Sequence, residues 1–124
     1  MPDCPVETTM VLVGSKWKML IVAYLLLGTQ RFMDLKRNIS AITQKTLTKS
    51  LKELERDGIV RRKVYPQVPP KVEYSLTELG QSMAAIIETM CKWGEKAAEA
   101  SLEVGRFFTD LKYGGFCVYY KVLL

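Results

Sequence analysis

Positive charge in this 124-residue chain is placed rather than spread. Between Arg31 and Lys63 ten Lys and Arg stand against four Asp and Glu, a net +6, while the whole protein carries only +5. The remainder is therefore slightly acidic, and the fold has to gather one cationic segment onto one surface. The second half of that segment reads as a helix over Gln44 to Asp57, with Thr43 as its N-cap and Gly58 just past its C-terminus. Thr46 occupies the third helical position, so the cap lacks the Glu or Gln of a capping box. At about 100° per residue, Leu47, Leu51 and Leu54 share one narrow sector, and Lys45, Lys49, Lys52 and Arg56 share the opposite one. Gln44 and Thr48 lie along one border, where their side chains can bond base edges or phosphates. A helix anchored by leucines and presenting a cationic ridge suits a DNA major groove. The same pattern also occurs on solvated surface helices, so this helix alone does not decide between the two.

Its neighbours narrow the choice. Phe32, Leu35 and Ile39 mark a short preceding helix, and Asn38 to Ile42 supply a tight polar connection, which together make a helix-turn-helix candidate. After Gly58, Ile59 to Tyr65 is basic and β-branched, and Pro66 to Pro70 forms a proline-stiffened turn. Val72, Tyr74 and Leu76 then alternate with Lys71, Glu73 and Ser75, so the pattern predicts strand, loop and strand. A basic hairpin directly after a cationic helix is a winged helix-turn-helix.

The run ITQKTLTKSLKELERDGIVRRKVYPQVPPKVEYSLTELG, with CPVETTMVLVGSKWKMLI near the N-terminus, resembles the HxlR-type family of bacterial and archaeal winged-helix transcriptional regulators over about residues 4 to 95. The resemblance implies a homodimer on a near-palindromic operator in double-stranded DNA, with Gln44 to Lys52 as the recognition segment and Tyr65 to Lys71 as the wing. The DNA-binding set is then Gln44, Lys45, Thr46, Thr48, Lys49, Lys52 and Arg56 on the helix, with Arg61, Arg62, Lys63 and Lys71 on the hairpin. It also marks Cys4, in the CPVE position, as a candidate sensor of oxidants or electrophiles. A small buried side chain is the structural alternative for that cysteine. Gly105 to Leu124 matches no pattern of the family.

Several function classes are disfavoured. The chain contains no histidine, no glycine-rich phosphate loop and no paired carboxylates in helical register, so an enzyme is not expected. Cysteines at 4, 91 and 117 form no close pair, which argues against a zinc site or a disulfide framework, and no cofactor or metal is expected. The longest apolar run, Met19 to Leu27, has nine residues, too few for a bilayer, and Met1 to Thr9 lacks the pattern of a secretory signal. A cytoplasmic protein is the expectation. The competing function is a winged helix that docks an acidic protein partner through its basic face.

The flanking segments read as helices. Pro5 to Val13 places Val6, Met10 and Val13 together, Gly14 and Ser15 interrupt, and Lys16 to Leu27 is apolar nearly all round, a buried spine ended by Gly28. Thr77 caps a helix expected from Glu78 to about Leu102, near ~37 Å long at 1.5 Å per residue. Its stripe of Leu79, Met83, Ile86, Met90, Trp93 and Ala97 is widened by Ile87, Cys91 and Ala98. A helix of that length overhangs the winged unit, so Met83, Ile86, Met90, Trp93 and Ala97 are the expected dimer interface. The alternative is that residues 1 to 13 fold back over it. The expected fold is mainly α with a small β-hairpin, a single winged helix-turn-helix domain over 1–124 with N- and C-terminal dimerisation helices. Within it the helix-turn-helix spans 31–57, the wing 59–76 and the dimerisation helix 78–102, and the tail 105–124 stays unassigned.

Overall fold

A helix that is apolar on nearly every side has to be surrounded, and α2 (Lys16–Leu25) is the element around which the chain wraps. The computed structural model describes residues 4–100, and the tail from 105 to 124 lies outside them. Ser15 starts α2 by accepting the Lys18 backbone N–H at 3.1 Å. Ile21, Val22, Ala23, Tyr24 and Leu25 are then buried in succession, as expected of a spine. The helix ends two residues before the expected Leu27, with Leu26 as its C-cap, and Gly28 turns the chain at φ +146°.

In front of the spine lies α1 (Pro5–Val13), and behind it the two-residue strand β1 (Gln30–Arg31) leads into α3 (Phe32–Asn38). The helix α4 (Gln44–Arg56) follows, capped by the Thr43 hydroxyl, which accepts the Thr46 N–H at 3.1 Å. Leu47, Leu51 and Leu54 of α4, Leu35 of α3 and Ile39 and Ile42 of the connection are all buried against α2. Past Asp57, Gly58 takes φ +77°, the left-handed conformation favourable to glycine that lets a helix stop and a strand begin. The hairpin pairs β2 (Val60–Tyr65) with β3 (Lys71–Leu76) antiparallel, in register from Val60 opposite Leu76 to Tyr65 opposite Lys71. Strand β1 adds to the other edge of β3, giving the order β1-β3-β2. That third strand is a correction to the two-stranded reading, because two residues carry no periodicity from which to read it.

The single long helix expected after Thr77 is also corrected. The chain forms a short α5 (Glu78–Gln81), breaks at Ser82 and Met83, and resumes as α6 (Ala84–Ala100). At the break the Met83 N–H donates to the Gly80 carbonyl, three residues back, and the Ser82 hydroxyl competes for the Leu79 carbonyl. The expected stripe divides along α6 itself, whose Ile87 N–H bonds back to the Met83 carbonyl four residues earlier at 3.0 Å. Met83 joins Ile87 and Cys91 in the chain's own core, at 8% exposure, whereas Ile86, Met90 and Trp93 face outward, Trp93 at 72%. On α1 the expected face also divides, with Val13 buried and Val6 and Met10 exposed. Val13 and Leu12 meet Leu79, Met83 and Ile86 across a groove, so α1 lies against the near end of the α5–α6 unit.

Thr77 closes the winged unit. Its hydroxyl donates to the Gly58 and Ile59 carbonyls at 2.6 and 3.1 Å, its backbone N–H also meets the Ile59 carbonyl at 3.0 Å, and the same hydroxyl accepts the Gly80 N–H at 3.1 Å. A Cβ on Gly80 would stand 2.3 Å from the Ile59 carbonyl oxygen, so only glycine allows α5 this close to the chain leaving Gly58. Gly80→Ala should therefore lower unfolding stability by about 3 kcal/mol, the upper end of overpacking costs, in urea titration. Unchanged stability would show that α5 does not need this approach.

Candidate nucleic-acid interface

The three buried leucines fix which side of α4 faces out. Gln44, Lys45, Lys49, Lys52 and Arg56 are exposed on that side, and Thr46 and Thr48 are half-buried at its borders. Two of these residues are occupied locally. The Thr43 hydroxyl donates to the Thr46 hydroxyl at 2.9 Å, which ties Thr46 to the cap, and Arg56 forms a two-pronged contact with Asp57 at 3.1 and 3.3 Å. The Thr48 hydroxyl donates to the Gln44 carbonyl at 2.8 Å and keeps its acceptor capacity. Lys45, Lys49 and Lys52 carry no ion pair among the described residues. Together with Gln44, Thr48 and Glu53 they line a shallow depression of about 600 Å³.

Glu53 borders that surface, but its carboxylate is engaged from the α2 side. Its carboxylate meets the Lys18 ammonium of α2 at 2.6 Å. That hydrogen bond, above all, holds the Glu53 carboxyl below its ordinary pKa, with smaller through-space help from Lys49 and Arg56.

The hairpin divides its cations between two faces. Cross-strand pairing sets Arg62 opposite Tyr74, in the same alternation as the buried pair Val60 and Leu76, so Arg62 faces α4. Between helix and sheet lies a cleft of about 550 Å³, where Arg62 and Tyr74 meet Gln44, Thr48, Lys52 and Glu55. Arg61 and Lys63 point to the opposite face. There the Lys63 and Lys71 ammonium groups lie 4.9 and 4.8 Å from the centre of the Tyr65 ring, a cation–π arrangement. Lys71 also contacts Glu73 at 2.8 Å, which holds that carboxyl below its usual pKa and compensates the lysine. Sequence reasoning grouped Arg61, Arg62, Lys63 and Lys71 as one flank and missed Tyr74, Glu55 and Glu53. The period-two pattern that places Tyr74 beside Arg62 was legible, but the register that pairs them was not.

Of the residues expected to form an interface, Met83 is taken by the core, Ala97 is half-buried, and Ile86, Met90 and Trp93 are exposed along α6. Cys4 is the N-cap of α1 with an exposed thiol. Hydrogen bonding to the backbone of Glu7, and secondarily of Val6, lowers its pKa. Cys91 is buried on the inner side of α6. Among the described residues no cluster of His, Cys, Asp and Glu suits a metal ion, and no helix is long and apolar enough to cross a membrane.

The family described as HxlR-like helix-turn-helix matches residues 12–102. The HTH-type transcriptional regulator BH0655 of Halalkalibacterium halodurans is 56% identical over 96 residues, which cover 76% of this chain and 84% of that protein. YdeP of Bacillus subtilis, another HTH-type transcriptional regulator, is 52% identical over 93 residues, covering 75% and 73%. Among solved structures, the redox regulator HypR in its oxidised form superposes with a TM-score of 0.71 at 50% identity, over 75% of this chain and 96% of that one. The reduced form of the transcriptional regulator YodB from Bacillus subtilis superposes with a TM-score of 0.70 at 39% identity, over 81% and 99%. With its helix-turn-helix at α3–α4 and its wing at β2–β3, the chain belongs to the HxlR-like helix-turn-helix family of transcriptional regulators.

Proposed function

We propose that the protein binds double-stranded DNA as a homodimer in the cytoplasm, without catalytic activity, on a near-palindromic operator. The observation that carries this reading is the row Lys45, Lys49 and Lys52, exposed and uncompensated on the side of α4 away from its three buried leucines. In it, α4 enters the major groove, Gln44, Lys45, Thr48 and Lys49 read base edges, and Lys52, Arg62, Arg61 and Lys63 neutralise phosphates. Thr46, Arg56 and Lys71 have smaller parts, since each is already engaged within the chain. Selection from a random DNA pool tests specificity, palindromy and half-site spacing together. A pool that yields no common sequence would remove operator recognition.

Affinity for the selected operator should fall on the order of a thousandfold or more between about 50 and 200 mM salt if six or more phosphates are contacted. Lys49→Ala should cost roughly ten- to a hundredfold and relax preference at particular base pairs, whereas Arg62→Ala should weaken all sequences alike. Binding measured across a panel of single-base operator variants separates the two, and identical profiles would overturn the division of roles.

The outward face of α6 supports dimerisation through Ile86, Met90 and Trp93, and α1 also exposes Val6, Met10 and Val11. A row of large apolar side chains left in water is what a partner surface removes. Trp93→Ala should dissociate the dimer at micromolar concentration in sedimentation while the thermal transition of the winged unit stays in place. An intact dimer would exclude Trp93 from the interface.

HypR carries the description of a redox regulator, and YodB has a diamide-treated form. Cys4 of this chain has the exposure and the lowered pKa that thiol chemistry requires. A lowered pKa means that thiolate, the reactive form, is present at lower pH than for an ordinary cysteine. Alkylation of Cys4 by iodoacetamide should accordingly have a pH midpoint below that of a free thiol, and diamide should change operator binding by wild type but not by Cys4→Ser. An equal response from both proteins would leave Cys4 without a sensing role.

A further inference from the structure

Lysine is seldom buried, and Lys18 is 8% exposed overall while its ammonium reaches Glu53 on a different helix at 2.6 Å. Among the described residues the other ion pairs, Arg37–Asp34, Arg56–Asp57, Lys71–Glu73 and Lys92–Glu88, each join near neighbours in sequence. Lys18–Glu53 instead ties the first turn of the spine to the last turn of α4. On α4, Glu53 follows Lys49 by four residues and precedes Arg56 by three, the spacings at which a carboxylate and a cation meet along a helix. Arg56 is held by Asp57, so the neighbour open to capture is Lys49. Glu53 borders the same depression as Gln44, Lys45, Thr48 and Lys49, so its carboxylate needs only a rotamer change to reach that surface.

We infer that Lys18 is a positioning residue for DNA binding: it holds the Glu53 carboxylate on the α2 side of α4 and so keeps the Lys49 ammonium out of an ion pair and open to a phosphate or base. This rests on the DNA-binding reading above. An ammonium that pairs with Glu53 from the buried side removes an anion from the rim without presenting its own charge to the groove. Without Lys18, Glu53 swings to Lys49, and the ridge loses one cation per protomer although every ridge residue remains. A lysine that merely filled space would make no such link between itself and the charge seen by DNA. Because phosphate neutralisation releases counterions, the number of free cations is read directly from the salt dependence of binding, even on DNA of arbitrary sequence.

The experiment measures binding of the full chain to a labelled mixed-sequence duplex of about 24 base pairs at salt between about 50 and 200 mM. Lys18→Met should reduce the slope of log affinity against log salt by about 1 per protomer and lower affinity several-fold, with the fold retained, since apolar replacement of one buried charge leaves a partner that can turn to water. Adding Glu53→Gln to Lys18→Met removes the released carboxylate and should restore the wild-type slope. Lys18→Gln gives a second route should the methionine variant not fold, with the slope changing in the same direction because a neutral amide holds a carboxylate less firmly. An unchanged slope in a folded Lys18 variant, or a reduced slope that Glu53→Gln does not restore, overturns the assignment. If wild type binds no duplex at all, the DNA reading itself fails and this role falls with it. If wild type binds with the expected slope and the variants match it, only the role of Lys18 is lost.

Discussion

Burial of Leu47, Leu51 and Leu54 against α2 sets everything outside it. The three side chains are almost wholly removed from water, and full burial of a leucine contributes roughly 1.5 to 3 kcal/mol relative to exposure. Because an α-helix repeats every 3.6 residues, fixing those three fixes the rotation of α4, and with it the direction in which Lys45, Lys49 and Lys52 project. The functional surface is thus a by-product of packing on the other side of the same helix. The continuous apolar girth of α2 lets it receive α4 on one flank and α6 on another.

The electrostatics follow the same geometry. Cations without an ion pair, Lys45, Lys49 and Lys52, lie on one helix face, while others are answered by carboxylates: Arg56 by Asp57, Lys71 by Glu73 and the buried Lys18 by Glu53. Counting basic residues in the segment from Arg31 to Lys63 overstates the charge available to a ligand. What matters is which ammonium groups have no carboxylate within reach, and that depends on three-dimensional neighbours such as Lys18, distant from Glu53 in sequence.

The features legible in the sequence were those written in local code. Thr43, Gly58 and the leucine spacing delimit α4 to within one residue, and the proline cluster between a basic β-branched run and an alternating one gives the hairpin. What escaped depends on contacts between distant parts. Strand β1 exists only because β3 offers it an edge, and the close seat of α5 on Ile59 depends on the missing Cβ of Gly80. A single helical wheel put Met83 on the same face as Met90, whereas the chain folds one inward and leaves the other in water. The separation of Arg62 from Arg61 and Lys63 was implicit in strand alternation, yet the face turned toward α4 could be named only once Val60 and Leu76 were seen to be buried.

The three hydrogen bonds of the Thr77 hydroxyl give the wing the mechanics of a cantilever. One hydroxyl grips the chain where β2 begins and stands where β3 ends, so both legs of the hairpin are clamped at a common root, whereas at the tip Val68 is fully exposed. A beam held in this way resists sliding of one leg past the other, which favours the register that sets Arg62 opposite Tyr74. Force applied at the tip arrives at the root as torque on the end of α4 and the start of α5 together. The wing and the helix beside it are therefore not two independent probes but a single jaw with one hinge line.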